Sequence, residues 1–337
     1  MSFSSIIDFE TALEKRTQPD DTAIAAAQAR QGQLTKPAGS LGRLEQIALF
    51  LAGWQAREIP LLQRPHAIVF AGNHGVAAHG VSAFPTSVTA QMVANFQAGG
   101  AAINALSRAA DMDLAVVAIE LDRPTADFTT QPAMTEDECM VALSIGANAV
   151  PPDSDLLVLG EMGIANSTAA AALCARAFGG EATTWTGAGS GIGMEGVAHK
   201  ARVVDKAIAC HRDAPHSAFE TLRRVGGREI AAISGAILRA RQLRIPVMLD
   251  GFICCSALAP LAASVPDIAS HCLASHQSAE SGHGRLLKLL RLDPLLHLEM
   301  RLGEGSGAAV AVNIVRSALA AHAEMATFAQ AGVSPAQ

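Results

Sequence analysis

Two glutamates in this sequence lie beside glycines, in positions where a carboxylate could act as a base on a small ligand. Glu304 lies between Gly303 and Gly305 in the segment LGEGSGA (302–308), and Glu161 follows Gly160 in GEMGIANST (160–168). Glycine neighbours let the backbone and a carboxylate reach closely into a pocket. An acidic side chain near a helix start can also be only a partner of the helix dipole, so the residue types alone leave both roles open.

A glycine-rich loop, TGAGSGIG (186–193), precedes a predicted helix that carries Lys200. Free backbone N–H groups and the helix dipole both favour an anion at such a position, so this loop could hold a phosphate. It is not a Walker motif, which requires G-x-x-x-x-G-K-[ST]. The alternative is a flexible loop without a ligand.

Three further polar residues follow predicted strands or begin predicted helices, and each also has an ordinary structural interpretation. His74, in GNHGVAAHGVSAFP (72–85), could be a base or a polar contact in a tight turn. Arg228, in VGGRE (225–229), could bind an anion or form a surface ion pair. Asp250, at the end of the run IPVML, could bind a ribose hydroxyl or cap the following helix.

Two patterns that resemble metal or dinucleotide sites are rejected. His276 and His283 have no third ligand at a recognised spacing, so the sequence predicts no metal site. Gly303, Gly305 and Ala308 satisfy the dinucleotide pattern G-x-G-x-x-A. That motif requires a second strand and an acidic residue about 20 positions later, whereas residues 311–328 read as one helix and leave no room for the strand.

Composition excludes several classes of protein. The chain has 337 residues, of which 50% are hydrophobic and 17% charged, so it is not a disordered chain, a disulfide miniprotein or a collagen-like repeat. The formal net charge of −6 gives no general basic surface, which makes nucleic acid a poor candidate ligand. The six cysteines lack CxxC spacing and are interpreted as reduced core thiols. With no apolar leader segment and no convincing membrane span, we expect a soluble cytoplasmic protein.

The elements that must position these residues alternate between short apolar runs and longer helical stretches. The runs predicted as strands are 67–71, 114–119, 156–159, 183–185, 245–249 and 267–272. The stretches predicted as helices are 86–107, 136–149, 166–178, 195–212, 228–242 and 253–263. Continuous apolar runs are typical of strands buried on both faces, so the pattern predicts an α/β fold with a parallel sheet covered by helices on both faces. Ligands bind beyond the carboxyl ends of such strands, where the polar segments follow.

Two domains are expected from this organisation. Residues 1–60 and 285–337 read as helical, without strands, and predict a small discontinuous helical domain. Residues 61–284 predict the α/β parallel-sheet domain, with the active site at the carboxyl ends of its strands.

Taken together, these segments resemble the nicotinate-nucleotide–dimethylbenzimidazole phosphoribosyltransferase family. The matching runs are LTKPAGSLGRLE (34–45), FAGNHGVAAHGVSAFP (70–85), LGEMGIANST (159–168), TGAGSGI (186–192), VGGREIAAISGAIL (225–238), LDGFI (249–253), SHQSAESGH (275–283) and RLGEGSGAA (301–309). They occur in the family's order from about residue 34 to 320, and the ordered set is more specific than any single run.

The resemblance implies an activity and an architecture. The implied reaction converts nicotinate mononucleotide and 5,6-dimethylbenzimidazole into α-ribazole 5′-phosphate and nicotinate, a step in the assembly of the cobalamin nucleotide loop. It also implies a Rossmann-like parallel sheet with a small helical domain, a homodimer, and neither a metal nor a redox cofactor.

The resemblance also assigns roles to residues of this chain. Glu304 matches the general base, and Glu161 matches a second active-site glutamate. The positions that fall near the phosphoribosyl group are Gly163, Gly187, Gly189, Gly191, Lys200 and Ser278. The positions that fall on the benzimidazole pocket are Ser82, Ala83, Phe84, Gln91, Met162 and Leu302.

This chemistry requires one base rather than an acid/base pair. The leaving group is a pyridinium, which departs without a proton donor, whereas the attacking heterocycle carries a proton on its other nitrogen. Glu304 would remove that proton, with inversion at C1′, and Glu161 could stabilise cationic character on the sugar.

Two alternative functions remain open from the residues alone: another nucleotide enzyme on a similar sheet, such as a hydrolase, and a non-catalytic nucleotide-binding protein. An ordinary diphosphate-dependent phosphoribosyltransferase should show an acidic pair before a Thr/Ser-rich loop, which the sequence lacks.

Overall fold

A six-stranded, all-parallel sheet forms the centre of the computed structural model, which describes residues 1–15 and 17–334. The strands are β1 (Pro65–Ala71), β2 (Asp113–Ala118), β3 (Leu156–Met162), β4 (Val247–Leu249), β5 (Cys272–His276) and β6 (Pro294–Leu296). Their order in the sheet is β2-β1-β3-β4-β5-β6, so the chain reverses its direction of winding between β1 and β3. The α/β fold expected from the sequence is confirmed.

Helices lie between the strands and at both ends of the described chain. They are α1 (Ile6–Glu14), α2 (Asp21–Gln33), α3 (Arg43–Gln55), α4 (Ser87–Gln97), α5 (Ala102–Ala109), α6 (Glu136–Ala149), α7 (Asn166–Phe178), α8 (Met194–Cys210), α9 (Ala218–Val225), α10 (Arg228–Gln242), α11 (Phe252–Ser256), α12 (Ala259–Ser264), α13 (His283–Leu290), α14 (Ser306–Glu324) and α15 (Phe328–Ala331). Short 3₁₀ turns occupy Gly75–His79, Ala182–Thr184 and Ile268–His271. No helix within the described ranges is long and apolar enough to cross a membrane.

Both faces of the sheet are buried, as the continuous apolar runs indicate. In β1, Ile68 and Phe70 enter an apolar cluster with α6, α7 and α10, whereas Ala67 and Val69 enter a second cluster with α3, α5 and α14. Because successive side chains of a strand point to opposite faces, β1 to β5 contribute to both clusters, whereas β6 contributes only to the second. The sheet is therefore held between two helical layers.

α6 and α10 pack so closely that their contact requires glycine. A Cβ atom at Gly146 of α6 would overlap the carbonyl of Ala232, and a Cβ atom at Gly235 of α10 would overlap the carbonyl of Leu143. Glycine lets two helical backbones approach within a distance that any larger side chain would prevent.

The first helices of the chain pack against the last long helix. In α2, Arg30 donates to the carbonyl of His322 (2.8 Å), and Gln31 donates to Nδ1 of His322 (2.8 Å). Nε2 of the same histidine donates to the carbonyl of Glu58 (2.9 Å). The apolar cluster that joins α3 to α14 also includes Val69 of the sheet. The division into a helical domain and a sheet domain at residues 60 and 285 stays a prediction.

Two strand predictions are wrong in detail, and one strand was not predicted. Residues 183 and 184 belong to a 3₁₀ turn at Ala182–Thr184, which Trp185 follows, and no strand forms there. The strand predicted over 267–272 is preceded by a 3₁₀ turn, and β5 begins only at Cys272. β6 lies within the C-terminal stretch that the sequence predicts as helical.

All six cysteines are free, and five of them are buried. Cys210 is exposed, so the interpretation as a core thiol is wrong for that residue. Its position at the end of α8 leaves the side chain outside the apolar clusters.

Candidate active site

A cavity of about 680 Å³ opens at the carboxyl ends of β3, β4 and β5, beside the starts of α7 and α14. This is where an open parallel sheet offers a crevice, because loops leave the strand ends in different directions. Glu161 and Glu304 both line the cavity. The two carboxylates singled out from the sequence therefore share one site.

Glu304 has a backbone conformation that is rare outside glycine. Its φ is +64°, between Gly303 at +85° and Gly305 at +87°. The residue is only 5% exposed, and its Oε2 atom accepts a hydrogen bond from the Ile103 amide (3.4 Å). Burial, together with the negative charge of Asp250, raises the pKa of Glu304, while the Ile103 amide opposes that shift.

Glu161 is buried beside Glu304 in a more strongly perturbed environment. Asn166, at the start of α7, donates a hydrogen bond to Oε2 of Glu161, and the Glu161 carbonyl accepts from the Glu304 amide (3.2 Å). Burial raises the pKa of Glu161 to about 8, and the negative charges of Asp250, Glu229 and Glu304 add to that shift. At neutral pH the protein environment thus holds this carboxyl mostly in its neutral form.

Asp250 follows β4 and binds the start of α14. Its Oδ2 atom accepts from the Gly305 amide (3.1 Å), and its Oδ1 atom accepts from the Ala308 amide (3.0 Å). The prediction that Asp250 caps the helix that follows it in the chain is therefore wrong: α11 has no side-chain cap, and Asp250 instead caps the start of α14.

Part of the predicted phosphoribosyl group of residues lines the cavity. Those that line it are Gly163, Gly189 and Ser278, and those that do not are Gly187, Gly191 and Lys200. Lys200 is fully buried behind the glycine-rich loop, where its Nζ atom donates to Oγ of Ser167 (2.7 Å) and to the carbonyl of Gly187 (3.2 Å). Burial lowers the pKa of Lys200 to about 8, although the negative charge of Glu280 opposes this.

The amide of Gly189 in that loop already has a partner. It donates to Oε1 of Glu280 (2.8 Å), a buried residue that also lines the cavity. Ser190, next in the loop, lies near the other predicted subsite: its Oγ atom is 3.0 Å from Oγ of Ser82 and accepts from the Ala83 amide (3.2 Å).

Most of the predicted benzimidazole group of residues lines the cavity as well. Those that line it are Ser82, Phe84, Met162 and Leu302, and those that do not are Ala83 and Gln91. Gln91 is exposed on α4, and the residues of this helix that reach the cavity are Val88 and Met92.

Several other polar residues have structural partners. Nε2 of His74 lies 2.7 Å from Oε1 of Glu229, and both side chains are fully buried outside the cavity lining. Arg228 pairs with Glu138 (2.7 Å) and Glu120 (3.1 Å), so it forms ion pairs, but the residue is buried rather than at the surface as expected.

The two histidines of the SHQSAESGH segment have different surroundings. His276 lines the cavity, whereas His283 accepts a hydrogen bond from the Ser278 amide (2.9 Å) at its Nδ1 atom. Within the part of the chain that the structure describes, no group of three or more His, Cys, Asp or Glu side chains is arranged to hold a metal ion.

Comparison with known proteins decides the family. A phosphoribosyltransferase family model matches residues 17–333. A nicotinate-nucleotide–dimethylbenzimidazole phosphoribosyltransferase of Novosphingobium aromaticivorans is 64% identical over 332 residues, with 98% of each chain covered. The chain belongs to this family.

Further relatives agree with that assignment. The Ruegeria pomeroyi protein of the same name is 55% identical and covers 99% of this chain, with 98% of its own length matched. The crystal structure of CobT from Thermus thermophilus is 40% identical, covers 94% of this chain and all of its own, and superposes with a TM-score of 0.88. The resemblance inferred from the ordered motifs is thus confirmed, and the protein is a phosphoribosyltransferase.

Five polar residues line the cavity although the sequence did not identify them as site residues. They are Asn166, Ser167, Ser190, Glu280 and Arg301. All five lie inside or beside motif segments. Their positions within those segments were the available signal, but spacing alone does not say which side chains of a loop point inward.

Proposed function

We propose that this protein transfers the phosphoribosyl group of nicotinate mononucleotide to 5,6-dimethylbenzimidazole, giving α-ribazole 5′-phosphate and nicotinate for cobalamin assembly. The names of its relatives support these two substrates. The observation that carries the mechanism is Glu304, a buried carboxylate with a raised pKa in a cavity that also has apolar walls.

Glu304 is the general base of this proposal. It takes the proton from one nitrogen of the benzimidazole while the other nitrogen attacks C1′ of the ribose. A raised pKa makes this carboxylate a stronger base than an exposed glutamate, and such catalysis typically contributes about 10²–10⁴-fold. The bond from C1′ to the pyridinium nitrogen breaks with its electron pair on nitrogen, so neutral pyridine leaves and no acid is needed. Attack from the opposite face inverts C1′.

Glu161 acts at C1′ only after it ionises. The protein environment alone favours its neutral form, because the pKa of Glu161 is raised to about 8. The cationic pyridinium of nicotinate mononucleotide, once bound nearby, lowers that pKa, since a positive charge stabilises a carboxylate. Substrate binding thus creates the anion that stabilises the developing positive charge on the sugar.

The phosphate binds near Gly163, Ser278 and the buried Lys200. The amide of Gly189 already donates to Glu280, so this N–H group of the loop is occupied. Ser167, which links Lys200 to the cavity wall, supplies a hydroxyl at the start of α7. The helix dipole adds to the attraction for an anion there.

The flat base binds against apolar side chains. Phe84, Met162 and Leu302 line one part of the cavity, and Val88 and Met92 of α4 extend that surface. Contacts of this kind tolerate related heterocycles, so the acceptor range follows from the shape of the pocket. A homodimer in the cytoplasm, without metal or redox cofactor, completes the proposal.

The deciding experiment measures products by mass spectrometry after the protein is mixed with both substrates. Wild-type protein should form α-ribazole 5′-phosphate, and Glu304→Gln should lower kcat by about 10²–10⁴-fold while nicotinate mononucleotide still binds. A reaction without benzimidazole serves as the control for hydrolysis. Free ribose phosphate in that control, or near-normal kcat in the variant, would contradict the proposal.

A further inference from the structure

Asp250 connects the end of β4 to the residues on either side of the start of α14. Both of its carboxylate oxygens are occupied, one by the Gly305 amide (3.1 Å) and the other by the Ala308 amide (3.0 Å). The residue is 1% exposed and does not line the cavity. It therefore does not touch a substrate directly, although the next residue of the chain, Gly251, lines the cavity.

The backbone that Asp250 holds is the one that places Glu304. A left-handed conformation is unfavourable for a non-glycine residue and persists only where its surroundings impose it. On one side, the amide of Glu304 donates to the carbonyl of Glu161 (3.2 Å). On the other side, Gly305 is held by Asp250. The backbone conformation of Glu304 is thus fixed by a hydrogen bond from its own amide and by one from the amide of the next residue.

His276 stabilises this arrangement from β5. Its Nε2 atom lies 3.5 Å from Oδ1 of Asp250, and the residue is 3% exposed. The imidazole packs over Gly307 in the first turn of α14, where a Cβ atom would overlap the ring. Two strand ends and one helix start therefore meet at the Asp250 carboxylate.

The charged and titratable groups around Asp250 come from several elements. Glu161 on β3 and Glu304 before α14 have their pKa values raised by its negative charge. Cys254 and Cys255 of α11 also lie close enough for that charge to raise their pKa values. His276 on β5 is the basic side chain within 4 Å in the described structure.

We propose that Asp250 is a positioning residue of the transfer reaction, which holds Glu304 in its left-handed conformation through the amides of Gly305 and Ala308. This inference rests on the proposed function, in which Glu304 is the base. It assigns Asp250 an effect on kcat, because a displacement of about 1 Å at a reacting group can lower a rate by about 10²-fold.

The test compares Asp250→Asn and Asp250→Ala with the wild type in the transfer assay. Asparagine is isosteric and keeps one acceptor oxygen, so it should fold and lower kcat less than alanine does. Alanine should lower kcat by about 10²-fold, with little change in KM for nicotinate mononucleotide. The matched control is Asp20→Ala, which removes a side-chain acceptor from the Ala23 amide at the start of α2 and should leave kcat unchanged.

Two readouts separate positioning from a general loss of structure. In Asp250→Asn, the acidic limb of the kcat–pH profile should move to lower pH, because a charge that raises the pKa of Glu304 has been removed. The double variant Asp250→Asn/Glu304→Gln should be no slower than Glu304→Gln alone, since Asp250 acts through Glu304.

An additive loss in the double variant, an unmoved acidic limb, or full activity in Asp250→Asn would overturn the inference. The proposed function fails differently: the wild type would then form no α-ribazole 5′-phosphate, or Glu304→Gln would remain active. Those two measurements precede any comparison of the Asp250 variants.

Discussion

Glu304 and Glu161 line the same cavity but differ in the groups that surround their carboxyl groups. Glu304 accepts one amide hydrogen bond and is influenced by the charge of one carboxylate, Asp250, whereas Glu161 is influenced by three other carboxylates. Like charges and burial both favour the neutral acid at Glu161. We therefore expect the free protein to keep one carboxyl neutral, at a cost that depends on pH.

The buried neutral carboxyl of Glu161 should make the free energy of unfolding depend on pH, and Glu161→Gln tests this. Between pH 4.5 and about 8, native Glu161 holds a proton that the unfolded chain has lost, so stability falls as pH rises through this range. Glutamine has no proton to lose, so the variant should gain stability relative to the wild type from about pH 5 to about pH 9. Free energies of unfolding from urea titrations at each pH measure the difference.

The control for this experiment is Glu10→Gln on the exposed side of α1. It measures how replacing an exposed glutamate with glutamine changes the free energy of unfolding at each pH. A difference for Glu161→Gln that does not vary with pH would mean that Glu161 is ionised in the native protein.

The residue types of the site were predictable, but their geometry was not. Glycines around Glu304 indicated a pocket, yet the sequence gives no sign that Glu304 itself is left-handed. The interaction of Asp250 with α14 joins residues 55 or more positions apart in the chain, which local spacing does not reveal. The resemblance assigns Gln91 to the pocket, whereas the helix directs Val88 and Met92 into the cavity.

At the scale of elements, hydrophobic runs predicted the strands that are buried on both faces. β1 and β3 in the centre of the sheet were found within about two or three residues of their bounds. β6 was missed because it is a three-residue edge strand that begins with Pro294, and proline disfavours a strand except at edges, first positions and bulges. Residues 183–185 misled because threonines favour strands, although the buried Ala182 and Trp185 are spaced as in a 3₁₀ turn.

Glycine at the contact of α6 with α10 leads to a second prediction. Gly146→Ala should destabilise the protein by about 1–3 kcal/mol or more, because the new methyl group would overlap the carbonyl of Ala232. The matched control is Gly32→Ala in α2, where no atom lies within 4 Å of the new Cβ. That change should instead stabilise by about 0.5–1 kcal/mol, since alanine restricts the unfolded chain.

Both variants are measured by urea unfolding at one pH. Equal effects of the two substitutions would show that helix propensity, rather than the close approach of two backbones, determines the outcome.

At the scale of the whole molecule, the terminal helices and the sheet share one apolar cluster. Ile47 and Leu51 of α3, Val312 of α14 and Val158 of β3 belong to it. A helical layer that shares its core with the sheet is expected to unfold together with it. The boundaries predicted at residues 60 and 285 would then mark regions of the sequence rather than independent folding units.

Two tryptophans and the absence of tyrosine make this expectation measurable. Trp54 lies in α3 and donates to the carbonyl of Ser270 (3.1 Å), whereas Trp185 lies beside the sheet and donates to the carbonyl of Gly179 (2.9 Å). In Trp54→Phe, fluorescence reports only on Trp185, and in Trp185→Phe only on Trp54. Within each variant, the fluorescence and circular dichroism transitions in urea should coincide. In Trp185→Phe, a fluorescence transition at lower urea concentration than the circular dichroism transition would mean that the helical layer unfolds first.

α14 connects the candidate active site to the helix α2 at the other end of α14. The helix has 19 residues and is therefore about 28 Å long, with Glu304 before its first turn and His322, held by α2, in its last. A rod of that length acts as a lever: a tilt of about 2° at one end displaces the other by about 1 Å. Substitution of Arg30 or Gln31, the α2 residues that bind His322, is thus expected to alter turnover although both are remote from any reactant.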